Sequence, residues 1–296
     1  MDLSVIIVSY NTSQITKECI ESVIASLRDS GIKYEILVVD NNSSDDSVAQ
    51  LKNLSAEHKQ LHLIENDKNL GFGPANNLGV KKSKGEYLLL LNSDTVVLNN
   101  AIEKLLNFTK SNNDADFVGG KLLNKDQTPQ PSTGPYYSLP VIFGALFLRG
   151  DYWGLTRQSP EKVKRVDWIS GACILTKKEY YEKLDGFDED IFMYMEEIDL
   201  LHRARELGYH VYFYPDAHFI HYGSLSSGNR TYPILQVYRG FIYLYNKHHS
   251  KLARACLAIM LQLKADIAII IGKLSHNPYL VRTYEEAKTL ASQQKN

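Results

Sequence analysis

The stretch that decides the fold is EYLLLLNSDTVVL, Glu86 to Leu98. Its four consecutive leucines, Leu88 to Leu91, show no alternation of apolar and polar positions, the pattern of a strand covered on both faces. The chain then turns abruptly polar at Asn92, Ser93 and Asp94. A carboxylate closing so apolar a strand is either the start of a turn or a ligand for something held at the strand's carboxyl end. Hard divalent cations take oxygen ligands, and Mg2+ is commonly shared between one or two carboxylates and substrate phosphates. Asp94 is therefore a candidate metal ligand.

Upstream of this segment, strands and helices alternate. LSVIIV (Leu3–Val8) reads as another strand buried on both faces. A helix follows, with Ile15, Cys19, Ile20, Val23, Ile24 and Leu27 on one side. YEILVVD ends a second strand at Asp40, and NNSSDDS supplies a loop and cap residues for a helix through Leu54. LHLIE is a third strand, and the glycines of NDKNLGFGPANNLG mark a loop feeding a further helix. Repeated βαβ units of this length predict a parallel, twisted sheet with ligands at the carboxyl ends of its strands, where Asp40 and Asp94 both fall. Gly71 and Gly73 do not make a dinucleotide fingerprint, because Asn76 stands where the third glycine belongs.

Asp40 has two readings. A strand-end carboxylate accepts the N3–H of uracil or thymine and repels cytosine, whose N3 is itself an acceptor; it also starts turns, here with Asn41 and Asn42. VSYN (Val8–Asn11), ending the first strand, is placed to wall a base pocket beside it.

The middle of the chain changes character. From Asn124 to Pro160, four prolines (Pro129, Pro131, Pro135, Pro140) among polar and aromatic residues predict irregular structure. VDWISGACILTKKEYYEKLDGFDE restores a strand and a helix, and a helix is expected from about Glu196 to Leu207 with a strand at Val211–Tyr214. Glu196, Glu197 and Asp199 crowd the start of that helix. Helix polarity alone accounts for acids there, and a general base within reach of an acceptor hydroxyl is the alternative. In HFIHYGSLSSGNR, His218, His221, Gly223, Gly228 and Arg230 could close over a diphosphate, with His221 on a metal and Arg230 on phosphate oxygens.

Size and charge narrow the rest. A chain of 296 residues holds one large α/β domain, or one of about 200 residues with an appendage. A net charge of −1 argues against electrostatic nucleic-acid binding. Cys19, Cys173 and Cys256 lie far apart in apolar surroundings, with neither metal-ligand nor disulfide spacing, which points to a reducing compartment. The N-terminal apolar run is too short for a signal peptide, and no run reaches the roughly 20 apolar residues of a membrane span. From about Thr231 the chain reads as helical. KLARACLAIMLQLKADIAIIIGKL repeats Leu252, Cys256, Ile259, Leu263, Ile267, Ile270 and Leu274 at helical spacing, interrupted by Lys264 and Asp266 and flanked by Lys247, Lys251, Arg254 and Lys273. Such a helix either packs against the rest of the chain or a second subunit, or lies on an anionic membrane.

Taken in order, LSVIIVSYNT, ILVVDNNSSDDS, NLGFGPANN, LLLLNSDTVV, VDWISGACILTKKEYYEKLDGFDE, FMYMEEIDLLHRARELGY and HYGSLSSGNR resemble glycosyltransferase family 2, over roughly Leu3 to Arg239. The nearest resemblance within it is to bacterial rhamnosyltransferases of cell-wall and surface-polysaccharide assembly. It implies an inverting, sugar-nucleotide-dependent enzyme of the GT-A fold: a Rossmann-like, mostly parallel central sheet flanked by helices, with a C-terminal helical extension. Residues 1–230 would form the catalytic domain, 1–120 its nucleotide-binding half and 121–230 its acceptor and catalytic half, with 231–296 the extension.

The same resemblance assigns roles. Asp40 would contact the uracil or thymine, beside Ser9, Tyr10 and Asn11, with Asn76 near the nucleotide. Asn92, Ser93 and Asp94 occupy the D-x-D position, leaving Asp94, with His221, to hold Mn2+ or Mg2+. Glu197 would be the base and Glu196 its fallback, while Asp167, Trp168 and Gly171 would line the sugar and acceptor pocket. Two departures stand out: Asn92 replaces the first Asp of D-x-D, and Glu197 stands where the family often has Asp. The implied partners are a nucleoside diphosphate sugar, best dTDP-L-rhamnose, and a saccharide or polyprenyl-linked acceptor. The expected location is the cytoplasm, up to the inner face of the cell membrane. The rivals are a UDP-sugar transferase of the same family, a sugar-nucleotide nucleotidyltransferase and a non-catalytic nucleotide-sugar-binding protein. SYNTSQITKE lacks the glycine-rich segment a nucleotidyltransferase usually carries after its first strand.

Overall fold

A computed structural model of the chain describes residues 1–223 and 231–293, without the side chains of 231 and 232. In chain order the elements are β1 (Leu3–Ser9), α1 (Ser13–Leu27), β2 (Tyr34–Asp40), α2 (Ser47–Glu57), β3 (Leu61–Glu65), α3 (Phe72–Lys82), β4 (Tyr87–Asn92), β5 (Thr95–Val97), α4 (Ala101–Ser111) and β6 (Phe117–Leu123). There follow β7 (Thr133–Gly134), α5 (Leu139–Phe147), β8 (Lys164–Val166), β9 (Trp168–Ile169), β10 (Cys173–Lys177), α6 (Lys178–Lys183), α7 (Glu196–Glu206) and β11 (Val211–His221). Three helices come last, α8 (Thr231–His248), α9 (Lys251–Leu274) and α10 (Pro278–Ser292). The residues group into two compact units.

The larger unit comprises Met1–Pro135, Arg157–Phe192 and Glu196–Ser226. Its main sheet runs β3-β2-β1-β4-β10-β6-β11-β5, with β8 also paired to β11, while β7 and β9 form a separate ribbon. The strands β3, β2, β1 and β4 are parallel, as the βαβ alternation predicts, and β10 enters antiparallel between β4 and β6. Every residue of β1 is buried, and so are Leu88 to Leu91 of β4. Each fully buried leucine is worth about 1.5–3 kcal/mol, so these two central strands anchor the core. The amphipathic side of α1, with Cys19, Ile20, Val23 and Leu27, covers one face of them. On the other, Gly79 lets α3 approach: a Cβ there would come within 2.6 Å of Ile6 Cγ2.

One element departs from expectation here. The strand predicted at 211–214 continues to His221, with a register shift between Tyr214 and His218. Pro215 lies within the shift, where its missing N–H forbids regular pairing. Beyond the shift, β11 pairs with β5 and sets His221 opposite Thr95.

The smaller unit comprises Tyr136–Thr156, Met193–Met195 and Ser227–Asn296. Within the proline-rich stretch read as irregular, Leu139–Phe147 is helical, and Pro140 sits in the first turn, where a missing N–H costs nothing. Pairwise packing joins α9 to α5, α8 and α10. The expectation that no segment has the length and apolarity of a membrane span is corrected by α9, a 24-residue helix in which an 18-residue stretch has a mean hydropathy of 1.9. Its two interrupting charges are occupied: Lys264 Nζ donates to the Leu146 carbonyl at 2.8 Å, and Asp266 Oδ1 lies 2.5 Å from Lys288 Nζ.

Candidate active site

The carboxyl ends of β2, β1 and β4 stand side by side, because Ser9 is in register with Asp40 and Val8 with Asn92. The Asp40 side chain is buried. Its Oδ2 accepts the Ser43 N–H at 2.9 Å, as in a turn, while Oδ1 is buried with no partner among the described residues. The turn reading of Asp40 is thus realised on Oδ2. Around it, Asn11 has φ 52° and clasps the next loop, accepting the Ser44 N–H at 2.7 Å and donating its own N–H to Ser43 Oγ at 2.9 Å. Tyr10 is exposed. The Ser9 hydroxyl is taken up by Thr16 at 3.1 Å inside the protein, so its neighbourly contribution is the carbonyl that accepts the Asn41 N–H.

Asn41, read only as a turn residue, organises the glycine loop. Its amide donates to Asn69 Oδ1 and the Gly71 carbonyl, and its oxygen accepts from Asn66 Nδ2 and the Leu70 N–H. Gly71 has φ 91°, and a Cβ on it would lie 2.5 Å from the Phe192 carbonyl oxygen, so only glycine fits. Asn76 is buried in α3 and donates to the Phe72 carbonyl one turn back.

A tight connection between β4 and β5 lays Asp94 against the end of β11, where the Tyr222 N–H bonds the Asp94 carbonyl. Asp94 Oδ1 is 3.3 Å from His221 Nε2. The tautomer of His221 follows from its other partner. Gln130 spends its amide N–H groups on Asn124 Oδ1 and the His221 carbonyl, so its Oε1 faces the ring and accepts from Nδ1 at 2.7 Å. In the neutral ring Nε2 then carries the lone pair, consistent with the Asn92 amide nitrogen 3.3 Å from it. Asn92 Oδ1 is buried without a partner among the described residues. An imidazole lone pair and a carboxylate meet here, with the Asn92 amide beside them, a donor pair that fits Mn2+ or Mg2+. Ser93 adds only a 3.5 Å approach to Thr12 Oγ1, and Arg230 lies outside the described residues.

At the start of α7 the three acids separate. Asp199 is buried and paired to Arg203 at 2.7 Å, and Arg203 also donates to the carbonyls of Leu184 and Gly186. Asp199 is thereby committed to structure. Glu196 and Glu197 each keep one buried carboxyl oxygen without a partner among the described residues. Burial, then the neighbouring Glu197 charge, pushes the Glu196 carboxyl well above its usual range. Burial also raises Glu197, but Arg157 and the Gly171 N–H oppose the rise, so its ionised form has support that Glu196 lacks.

Gly171 lies against Glu197, an added Cβ meeting Glu197 Cβ at 3.6 Å. Trp168 is buried, donating Nε1–H to the Pro135 carbonyl, and Asp167 pairs with Arg205 at 3.0 Å. The Arg157 guanidinium sits over the Trp168 ring at 5.5 Å, and its Nε is buried without a partner. Arg157, Gln130 and Asn124 all come from the segment read as irregular, where hydrophobic periodicity carries no signal. Cys19 and Cys173 are fully buried, which pushes both thiols up to about 12 and removes them from nucleophilic chemistry.

Comparison with known proteins identifies the family and the fold. Residues 4–184 match the profile of glycosyl transferase family 2. The chain is 30% identical over 211 residues to the low-salt glycan biosynthesis hexosyltransferase Agl10 of Haloferax volcanii, covering 69% of this chain but only 62% of that one. It is 25% identical over 233 residues to the N-acetylglucosaminyl-diphospho-decaprenol L-rhamnosyltransferase of Mycobacterium tuberculosis, covering 72% and 75% of the two chains. Among solved structures, a mannosyltransferase of Pyrobaculum calidifontis in complex with GDP-Man and Mn2+ superposes with a TM-score of 0.60 at 15% identity, covering 99% of this chain and 76% of the other. That likeness is one of fold.

Proposed function

Since the chain belongs to glycosyltransferase family 2, we propose that it is an inverting transferase that moves a sugar, L-rhamnose first among candidates, from a pyrimidine nucleoside diphosphate to a saccharide or polyprenyl-linked saccharide. The choice of rhamnose and of a lipid-linked acceptor draws on the name of the mycobacterial relative. The observation that carries the reading is the set of buried atoms without a partner among the described residues, Asp40 Oδ1 and Asn92 Oδ1 at strand ends and the two α7 carboxyl oxygens. Buried polar atoms are ordinarily satisfied, and a group of exceptions at strand ends asks for a ligand.

In this reading Asp40 Oδ1 accepts the N3–H of thymine or uracil, which present the same donor there. Asn76 and Ser93 stand near the nucleotide, and Tyr10 and Asn11 beside the base. Asp94 and His221 hold Mn2+ or Mg2+, which when bound supplies positive charge to the departing diphosphate. Glu197 takes the proton from the acceptor hydroxyl as that oxygen attacks the anomeric carbon opposite the leaving group. Burial and the Glu197 charge disfavour ionisation of Glu196, and the support from Arg157 and the Gly171 N–H makes Glu197 the member of the pair that ionises more readily. Trp168 and Asp167, both tied to the scaffold, hold the strand that presents Gly171 to Glu197. Residues 1–230 carry this chemistry, nucleotide contacts falling within 1–120 and the base within 121–230, and 231–296 form the extension. Three cysteines without a disulfide suit a cytoplasmic location.

The test is release of nucleoside diphosphate from a panel of thymidine- and uridine-linked sugars, with and without a lipid-linked saccharide. Acceptor-dependent release from one donor is expected. Donor binding without release under any condition would make the chain a binding protein instead.

A further inference from the structure

The smaller unit holds an exposed surface that the transfer reaction does not use. Helix α9 is apolar on two opposite sides. Leu257, Leu261, Ala265, Ala268 and Gly272 are buried on one. On the other, Leu252, Ile259, Leu263, Ile267, Ile270 and Leu274 all stand in water, from 39% exposed at Ile267 to 78% at Leu274. At helical spacing these six form one stripe about 33 Å long. Soluble proteins seldom leave so long an apolar ridge open.

Two further features of the same unit say what fits it. The turn after α5 exposes Tyr152 and Trp153, 76% and 67% accessible, with Arg149 over the tyrosine ring. It follows the helix to which Lys264 ties α9. Exposed Trp and Tyr are the residues that settle at a membrane's headgroup level. The charge is equally one-sided: the smaller unit has eleven Lys and Arg against four Asp and Glu, in a chain whose net charge is −1. Lys251 and Lys273 stand exposed at the two ends of the ridge, and the helix's own acid, Asp266, is paired to Lys288.

We propose that the open side of α9, with the Tyr152–Trp153 turn, docks on an anionic bilayer surface and lies along it. Crossing the bilayer would require α9 to leave the helices that bury its other side, whereas lying on the surface keeps that packing. A second copy fits less well, because a two-fold contact would press two basic surfaces together. The proposal goes beyond the sugar chemistry and stands without it, so its test contains neither donor nor acceptor.

The full chain is sedimented with vesicles of phosphatidylcholine alone and of phosphatidylcholine with phosphatidylglycerol, at low and high salt. Binding should appear with the anionic lipid and weaken as salt rises. Trp153 is the exposed one of the chain's two tryptophans, Trp168 being buried, so its emission should shift to the blue on binding and the shift should vanish in Trp153→Phe. The pair Ile259→Glu and Leu263→Glu, both at exposed positions, should keep the wild-type melting profile and lose at least about tenfold in partitioning. Wild-type protein that stays in the supernatant with every vesicle overturns the proposal. So does undiminished binding by the double variant, or a solution dimer that the double variant dissociates.

Discussion

In the larger unit, oxygens of Asp40, Asn92, Glu196 and Glu197 are shut away from water without partners; in the smaller, Leu252, Ile259, Leu263 and Leu274 stand in water without cover. Both arrangements cost stability, but in opposite directions. A buried orphan oxygen forgoes about 1–3 kcal/mol and is relieved only by a donor or cation of defined position. An exposed leucine forgoes a similar amount and is relieved by any apolar surface. The contrast teaches what kind of partner each unit awaits: a small polar ligand placed atom by atom in one, an extended apolar and anionic surface in the other.

The largest break of this contrast should come from Glu197→Gln, which keeps the shape of the side chain and removes the base. Transfer should fall by about 10²–10⁴-fold while donor binding by calorimetry stays within a few fold of wild type. Wild-type turnover in this variant would return Glu197 to a purely structural part.

Next in size is Gln130→Leu, which frees His221 to place its proton on either nitrogen. Mn2+ affinity, read by electron paramagnetic resonance without any substrate, should weaken by about 10–100-fold. Gln130→Glu, which can still accept from Nδ1, should recover most of it. Imidazole nitrogen shifts of His221 should report a proton on Nδ1 in the wild type and a mixture in the leucine variant.

Asp40→Asn should cost thymidine- and uridine-linked donors about tenfold or somewhat more, and cytidine-linked ones far less, because the amide offers cytosine N3 a donor. Equal losses across all bases would assign Asp40 to its turn alone.

The smallest expected effect concerns stability. Glu196 has its carboxyl raised by burial, so the folded state holds a proton that the unfolded state has lost above about 4.5. Its contribution is therefore intact at acid pH and is lost as pH rises through the raised value. Glu196→Gln removes that loss: it should stabilise the protein by about 1 kcal/mol or more at pH 7 and little at pH 4. A uniform shift at both pH values would point to packing instead.

Much of this was legible in the residues because burial on both faces writes itself as uninterrupted apolar runs, as in Val5–Val8 and Leu88–Leu91. Strand ends were equally legible, since Asp40 and Asp94 interrupt those runs. The three acids of α7 could not be told apart, because what separates Asp199 from Glu196 and Glu197 is Arg203, whose reach to the Leu184 and Gly186 carbonyls exists only in the fold. Gln130 and Arg157 were silent for a related reason. Each sits in proline-rich chain without periodicity and acts through one directed contact, on His221 and near Glu197 respectively. The open side of α9 was visible as a stripe, but which side the neighbouring helices cover was not.

The most direct test of the transferase account is thermal unfolding of the wild-type chain with thymidine and uridine diphosphate sugars, with and without Mn2+. The account predicts that one such donor, together with the metal, raises the midpoint by about 5 °C or more at saturating concentration, and that Asp94→Ala abolishes the metal-dependent part. No shift with any pyrimidine diphosphate sugar, or a shift that Asp94→Ala and Asp40→Asn both leave untouched, would contradict it.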